Sequence, residues 1–568
     1  MPGPHSTRYE AHRPVIAGRN GMVVSGHPLA SQAGVSILQR GGNAVDAATA
    51  VAAALNVVEP HMSGIGGDGF IMVYWQAEGI VQVVNATGPA PRAATREAYL
   101  PDGIPSVGMR SVSVPGLVDG WLEAHSRYGS LSLAESFGPA SDLAENGFPI
   151  SQNLASRIAA DPALLEFPTS RAIFAPEGRP LRAGEILYQR DLARTFARLA
   201  AEGRDAFYRG EIARALARCS EEFGGLLAEA DLASYRARWE QPISTTYRGY
   251  TVYEAPPNSS GHVLLQELNV VELFDLRALG WSTPASIHLM VEAKKLAFAD
   301  REAYLADPDF ADVPIEGLLS KEYARERARL VDPNRAASAV AAGDPRRHQA
   351  TPRAGRLLRT TPPREDTTCF AVVDRWGNAV CQLQSLQQAF GSRLVAADTG
   401  ILLNNRMTYW HLDPDHVDCL QPGKRVRHTM NPVMVFRGAQ GTARTPAGQL
   451  VLVCGTPGAD TQVQTNLQVL THVLDHGLTV TEAVEAPRWR HAQSPTESEV
   501  PHVCEDVLQM ESRFPPCVRE ELRRLGHPVQ VLGDWEGPGS VVMIQVDPRS
   551  GALFGAADPR RDGYAIGW

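Results

Sequence analysis

The hydrophobic pattern opens with helical spacing. Residues 28–56 are Ala-rich, with apolar positions at Ala30, Gly34 and Leu38 and again from Ala44 to Leu55 after a Gly41-Gly42 break, which predicts two packed helices. The period then drops to two, and FIMVYW and IVQVVNA within 70–86 predict strands. Residues 114–235 return to helical spacing, with amphipathic stretches such as LARTFARLAAEG and GEIARALARCSEEFG. TYRGYTVYE (246–254) predicts a strand, residues 262–279 an apolar helix and 285–304 another helix. Towards the C-terminus strand signals (VMVFRG, QLVLVCG, SVVMIQVD) alternate with helices. No internal repeat is visible. Strand-rich blocks at both ends with helices between predict an α+β fold of layered sheets flanked by helices.

One break interrupts this pattern. Residues 331–366 are dominated by Ala, Arg, Pro and Gly with almost no large apolar side chains, which predicts a flexible leader. A hairpin follows at once. Cys369-Phe370-Ala371-Val372-Val373 is the outgoing strand, Asp374–Asn378 the turn and Ala379-Val380-Cys381-Gln382-Leu383 the return. Thr367 and Thr368 stand where the leader ends and the strand begins. A Thr-Thr pair is common at strand starts. The same placement is also what a self-cleaving N-terminal-nucleophile hydrolase needs: cutting Asp366–Thr367 gives Thr367 a free α-amine that serves as base for its own hydroxyl. An α-amine has an ordinary pKa near 8, so it is a usable base at neutral pH.

Bulk composition narrows the class. Of 568 residues, 44% are hydrophobic and 7% aromatic, enough for a sizeable core, and the length suits several domains or one two-lobed fold. A net charge of −9 argues against a nucleic-acid or anionic-membrane partner. No apolar run reaches the roughly 18 residues of a membrane span, and MPGPHSTRYEAHRPVIAG has no apolar signal core, so a cytoplasmic location is expected. The seven cysteines are scattered without CxxC spacing, which suits reduced thiols.

Blocks along nearly the whole chain carry a resemblance. They include HPLASQAGVSILQRGGNAVDAATA (27–50), VVEPHMSGIGGDGF (57–70), PRAATREAYL (91–100), SVPGLVDGW (113–121) and DTTCFAVVDRWGN (366–378). DTGILLNNRM (398–407), RHTMNP (427–432), CGTPGAD (454–460), EAPRWRH (485–491) and GAADPRRDGYAIG (555–567) continue it. So many blocks in one order resemble the gamma-glutamyltransferase (gamma-glutamyltranspeptidase) family. That resemblance implies the four-layer αββα sandwich of N-terminal-nucleophile hydrolases. It implies a large subunit, 1–366, interlocked with a small subunit, 367–568, no cofactor, and room for pairing of two processed heterodimers.

The resemblance also implies roles. Thr367 is the nucleophile, first on the Asp366 carbonyl and then on a substrate amide. Ser385 matches a family threonine whose hydroxyl supports the nucleophile. Gly458 and Ala459, in Gly455-Thr456-Pro457-Gly458-Ala459, match the oxyanion-hole loop, where the family usually has Gly-Gly. Arg96, in AATRE, matches the arginine that grips the substrate α-carboxylate.

Departures cluster in the glutamyl pocket. Where the family reads Leu-Asn-Asn-Gln-Met-Asp-Asp-Phe, this chain reads Leu403-Asn404-Asn405-Arg406-Met407-Thr408-Tyr409-Trp410. Tyr409 replaces the aspartate that pairs with the substrate ammonium, Arg406 a glutamine, Gln387 an asparagine, and His428-Thr429 a Ser-Ser pair; Asn405 is kept. An ammonium would then lose its anionic partner and meet a cation, a change of several kcal/mol at roughly 4 Å. The expected substrate is an amide of a small acidic acyl group without an α-ammonium, its carboxylate facing Arg96 and Arg406. In the alternative, Arg406 turns away to Asp413 or Asp415. The segment from Trp410 to His428 is shorter than the family's lid loop, which favours water as acceptor. The competing readings are a true gamma-glutamyltransferase or glutathione hydrolase, an oxamate amidohydrolase-like or cephalosporin (glutaryl) acylase-like enzyme, and a non-enzymatic binding module.

Three further features carry blander expectations. SGIGGDG (63–69) lacks a Walker Lys-Ser/Thr and predicts close backbone packing. His411-Leu412-Asp413-Pro414-Asp415-His416 has the composition of a metal cluster, but its central proline and missing distal ligands predict a solvated loop and no metal. Cys369, two residues after Thr367, shares its face and is expected to pack rather than react.

Overall fold

A computed structural model describes residues 11–349, 366–438 and 448–568. Two seven-stranded antiparallel sheets form its centre. In the first, Tyr564–Gly567, Gly21–Ser25, Asp366–Asp374, Ala379–Gln387, Asp68–Trp75, Ile80–Ala86 and Arg238–Glu240 are neighbours in that order. In the second the order is Ile16–Gly18, Leu553–Ala557, Val542–Val546, Gln449–Gly455, Val433–Arg437, Tyr250–Glu254 and Ile243–Tyr247. The sheets face each other across an apolar layer that includes Val24, Met72, Cys369, Val453 and Ile544. Helices Pro28–Gln39 and Ala44–Val58 cover one outer face. Helices Gly261–Val271, Pro284–Tyr304 and Gln462–Leu474 cover the other. This is the expected four-layer αββα sandwich.

Local chemistry explains the layer that carries the site. Helix Ala44–Val58 is buried along its whole length, which its alanines allow. Its neighbour crosses closely: a Cβ on Gly34 would lie 2.5 Å from Val51 Cγ2. Asn43 and Asp46 close a capping box at its start. Asp374, in the turn of the hairpin, accepts the Ala44 N–H at 2.9 Å, so the hairpin is tied to this helix.

Three expectations need correction. The single strand at 246–254 is two, Ile243–Tyr247 and Tyr250–Glu254, joined by Arg248 and Gly249 at φ 52° and 84°, the positive pair of a tight hairpin turn. The apolar helix from 262 ends at Val271, and Leu276–Leu279 forms a separate turn capped by Asp275. Residues 331–349 are not loose. Leu525 O accepts the Ala336 N–H, Ala337 O accepts from Lys295, and Ala341 O accepts from Arg327. The rest of the expected leader, 350–365, lies outside the described residues.

Both large sheets draw strands from both sides of residue 366. Asp366–Asp374 sits between Gly21–Ser25 and Ala379–Gln387, so a cut after Asp366 would divide the chain without dividing the sheet. No described helix is long and apolar enough to cross a membrane.

Candidate active site

Thr367 lies in an irregularity of the central hairpin. Asp366 pairs with Gln387 and Thr368 with Gln384, so Ser385 and Leu386 together oppose Thr367 as a bulge. Bulges re-aim side chains, and here the bulge turns Ser385 onto the Asp366–Thr367 peptide. The Ser385 hydroxyl donates to Asp366 O at 2.9 Å, and the Thr367 hydroxyl donates to Ser385 Oγ at 3.3 Å. Gln387 N–H also donates to Ser385 Oγ, at 2.8 Å. A directed chain therefore runs from the Thr367 hydroxyl through Ser385 to the carbonyl oxygen of Asp366. On the next position, the Thr368 hydroxyl donates to Glu59 at 2.7 Å. Burial raises Glu59 to about 7, against that hydrogen bond. Gly26 permits the approach, because a Cβ there would lie 2.5 Å from Glu59 Oε2.

The loop from Gly455 lies over this hairpin. A Cβ on Gly455 would meet Cys369 Sγ at 2.6 Å, so Cys369 packs against the loop. Gly458 has φ 122° and Ala459 φ 49°, the second being left-handed backbone that costs an alanine about 1–2 kcal/mol. Ala459 starts a short turn whose leading N–H groups have no acceptor within the turn itself. The turn is braced: Thr461 Oγ1 donates to Gly458 O at 2.6 Å, and Asp460 accepts from Ser498 and pairs with buried Arg301. Gly458, Ala459 and Asp366 line one cavity of about 350 Å³, together with Arg157 and Arg561.

The pocket departures form a single buried network. Arg406 makes a two-pronged pair with Asp68, Nε to Oδ2 and Nη2 to Oδ1, both 3.0 Å. His428 Nε2 lies 3.0 Å from the same Oδ2, and the Arg406 guanidinium stacks 4.6 Å over Tyr409, whose hydroxyl is 3.2 Å from Thr429 Oγ1. Burial alone would raise Asp68, but Arg406 and His428 bring it below the usual carboxylate range. Burial and then Arg406 lower His428 to about 4, so it is neutral and donates from Nε2. Asp68 comes from SGIGGDG, and the expected close packing holds: Cβ atoms on Gly66 and Gly67 would lie 2.2 Å from Leu402 O and Ser385 O. Arg406 therefore turns to neither Asp413 nor Asp415. Its charge is balanced, so it neither repels a substrate ammonium at full strength nor offers an unoccupied fork to a carboxylate.

The remaining expected residues separate. Gln387, at φ 88°, is buried against Glu499, which burial pushes up to about 7. Asn405 holds local backbone, accepting Gln388 N–H at 3.0 Å and donating to Ser106 O at 2.9 Å. Arg96 is about a third exposed (35% of its side chain) and donates to Leu412 O at 2.6 Å; it does not line the cavity beside Asp366. Another cavity, about 770 Å³, is bordered by Lys295, His491 and Cys504 and lies apart from Thr367.

The loop at 411–416 is not simply solvated. His411 and His416 are buried and stacked at 3.4 Å, His502 stacks on His411 at 3.7 Å, and Glu302, a distal carboxylate the sequence did not reveal, lies beside them. His416 Nδ1 accepts the Asp418 N–H at 3.0 Å, which leaves the proton on Nε2, the atom facing Glu302 at 3.5 Å, and speaks against a metal ligand there. In a second group, His288 bonds His527 and Asp332 O, and Glu292 pairs with Lys295, so its donors are also engaged.

Comparison with known proteins fits this geometry. Residues 30–568 match the family model described as Gamma-glutamyltranspeptidase. The chain is 39% identical over 556 residues to the "Glutathione hydrolase-like YwrD proenzyme" of Bacillus subtilis (strain 168), covering 97% of this chain and 99% of that protein. It is 34% identical over 573 residues to the "Oxamate amidohydrolase proenzyme" of Klebsiella pneumoniae, covering 99% and 100%. The crystal structure of cephalosporin acylase from Bacillus halodurans superposes with a TM-score of 0.87 at 36% identity, covering 100% of this chain and 99% of that one. A sandwich built around a threonine-led hairpin, with whole-length matches to hydrolase proenzymes, places this chain in the gamma-glutamyltranspeptidase family.

Proposed function

We propose that the chain is a proenzyme that cuts its own Asp366–Thr367 bond and then works as an N-terminal-threonine amidohydrolase on an amide of a small acidic acyl group. The observation that carries this is the chain Thr367–Ser385–Asp366 O beside the Gly458-Ala459 loop. Before the cut no α-amine exists, and Ser385 provides both an acceptor for the nucleophile's proton and a donor to the scissile carbonyl. After the cut the Thr367 amine takes over as base, and the N–H groups of Gly458 and Ala459 receive the oxyanion of the tetrahedral intermediates that lead to and from the acyl-enzyme. The subunits would be 1–366 and 367–568, and water the acceptor.

Glu499 favours a second reading. It lies against Gln387, and a carboxyl there could replace the aspartate lost at Tyr409 as partner for a gamma-glutamyl ammonium. Mass analysis of intact wild type beside Thr367→Ala tests the common core. The wild type should give two fragments, the smaller starting at Thr367, and the variant one; an uncut wild type after prolonged incubation would refute the proposal. Turnover of glutaryl anilide against gamma-glutamyl anilide then separates the two substrate readings.

A further inference from the structure

The carboxylate of Asp366 is held at the scissile bond by two arginines. Arg157 Nη1 lies 3.2 Å from Oδ2 and Arg561 Nη2 3.1 Å from Oδ1. Arg157 belongs to helix Gln152–Ala159, and Arg561 to the turn leading into strand Tyr564–Gly567. Among the described residues, neither pairs with any other carboxylate. His61 beside them is buried with neither ring nitrogen bonded, and burial followed by these two guanidiniums keeps it uncharged.

Maturation fixes what Asp366 is chemically. Thr367 Oγ1 adds to the Asp366 carbonyl carbon, the C–N bond breaks as the nitrogen takes the hydroxyl proton, and water then splits the ester to leave Asp366 as a C-terminal acid. Asp366 is thus the first acyl group this nucleophile transfers, and its side chain makes that acyl a four-carbon diacid. When it leaves, two guanidiniums in the cavity shared with Gly458 and Ala459 lose their counter-charge. We infer that Arg157 and Arg561 form the substrate's carboxylate clamp, which Asp366 fills in the precursor and which selects succinyl- or glutaryl-type amides in the mature enzyme. The inference rests on the amidohydrolase reading above and supplies the carboxylate recognition that Arg406, committed to Asp68, does not.

The test uses the matured enzyme with succinyl, glutaryl and uncharged butyryl anilides. Wild type should prefer the acidic acyl groups, and Arg157→Gln or Arg561→Gln, once matured as judged by mass, should lower the acid-to-neutral ratio of kcat/KM about 10–100-fold, the worth of a hydrogen-bonded charge. Should either variant fail to mature, wild type alone decides: succinate should compete with substrate and butyrate should not. Amide turnover without acid preference, an unchanged ratio in both variants, or no competition by succinate because the tail ending at Asp366 keeps the clamp, would each overturn it. A wild type that neither cuts itself nor turns over any anilide would instead sink the amidohydrolase reading.

Discussion

Ser385→Ala removes one oxygen and leaves the rest of the hairpin in place. Two interactions with the Asp366–Thr367 peptide unit and its nucleophile are among the three that disappear: the 2.9 Å donation to Asp366 O and the acceptor for the Thr367 hydroxyl at 3.3 Å. A donor aimed at a developing oxyanion is worth about 2.7–4 kcal/mol, or 10²–10³ in rate. Self-cleavage should therefore slow by that factor, followed by mass over time after expression in the uncut state. The change also strands the Gln387 N–H, which donates to Ser385 Oγ at 2.8 Å inside a buried bulge. That should cost about 1–3 kcal/mol of stability, measured by urea unfolding in a Thr367→Ala background so that both chains stay whole. Ser385→Thr, the family residue, keeps the hydroxyl and should mature within a few-fold of wild type. Cleavage of Ser385→Ala at the wild-type rate would refute the idea that this hydroxyl polarises the scissile carbonyl.

Other outcomes follow from the buried charges. Asp68→Asn leaves Arg406 without its counter-charge and should destabilise the Thr367→Ala precursor by about 3–5 kcal/mol in urea; a loss below about 1 kcal/mol would mean the pair is solvated. Glu59 is raised from 4.5 to about 7, so the fold binds its proton more tightly than the unfolded chain does. Its contribution is complete below pH 4.5 and fades as pH rises towards 7, by about 3 kcal/mol over that window. Stability of Glu59→Gln measured against pH should lack this decline, and curves that run parallel to wild type would contradict it.

Much of the sandwich was legible because it is local. The alanine period of 28–56, the alternation of 70–86 and the hairpin at 366–387 all report burial through spacing alone. The pocket was less legible. Arg406 reads as an unopposed cation because its partner, Asp68, sits 338 residues away in a segment that looks like a glycine turn. The Ser385 bulge leaves no periodic trace, since a strand with one extra residue still alternates on both sides of it. The Arg157–Asp366–Arg561 clamp was invisible for the same reason as the Glu302–His416 contact: ion pairs between distant elements are chosen by the fold, not by neighbouring residues. Ala459 is the exception, a departure from Gly-Gly visible in the sequence whose left-handed backbone the structure makes explicit.

The interleaving of strands from both sides of residue 366 has a consequence for the life of the molecule. Once the peptide bond is gone, unfolding would release two chains where folding had used one. Refolding would then be a bimolecular search, dependent on concentration, for a sheet in which the hairpin of residues 367–374 and Ala379–Gln387 must be inserted between Gly21–Ser25 and Asp68–Trp75 of the other chain. The mature enzyme would persist because it opens slowly, not because it can readily be rebuilt. Self-cleavage would thus act as a ratchet: each molecule folds once, in the only form able to fold as a single chain, and is used until it unfolds.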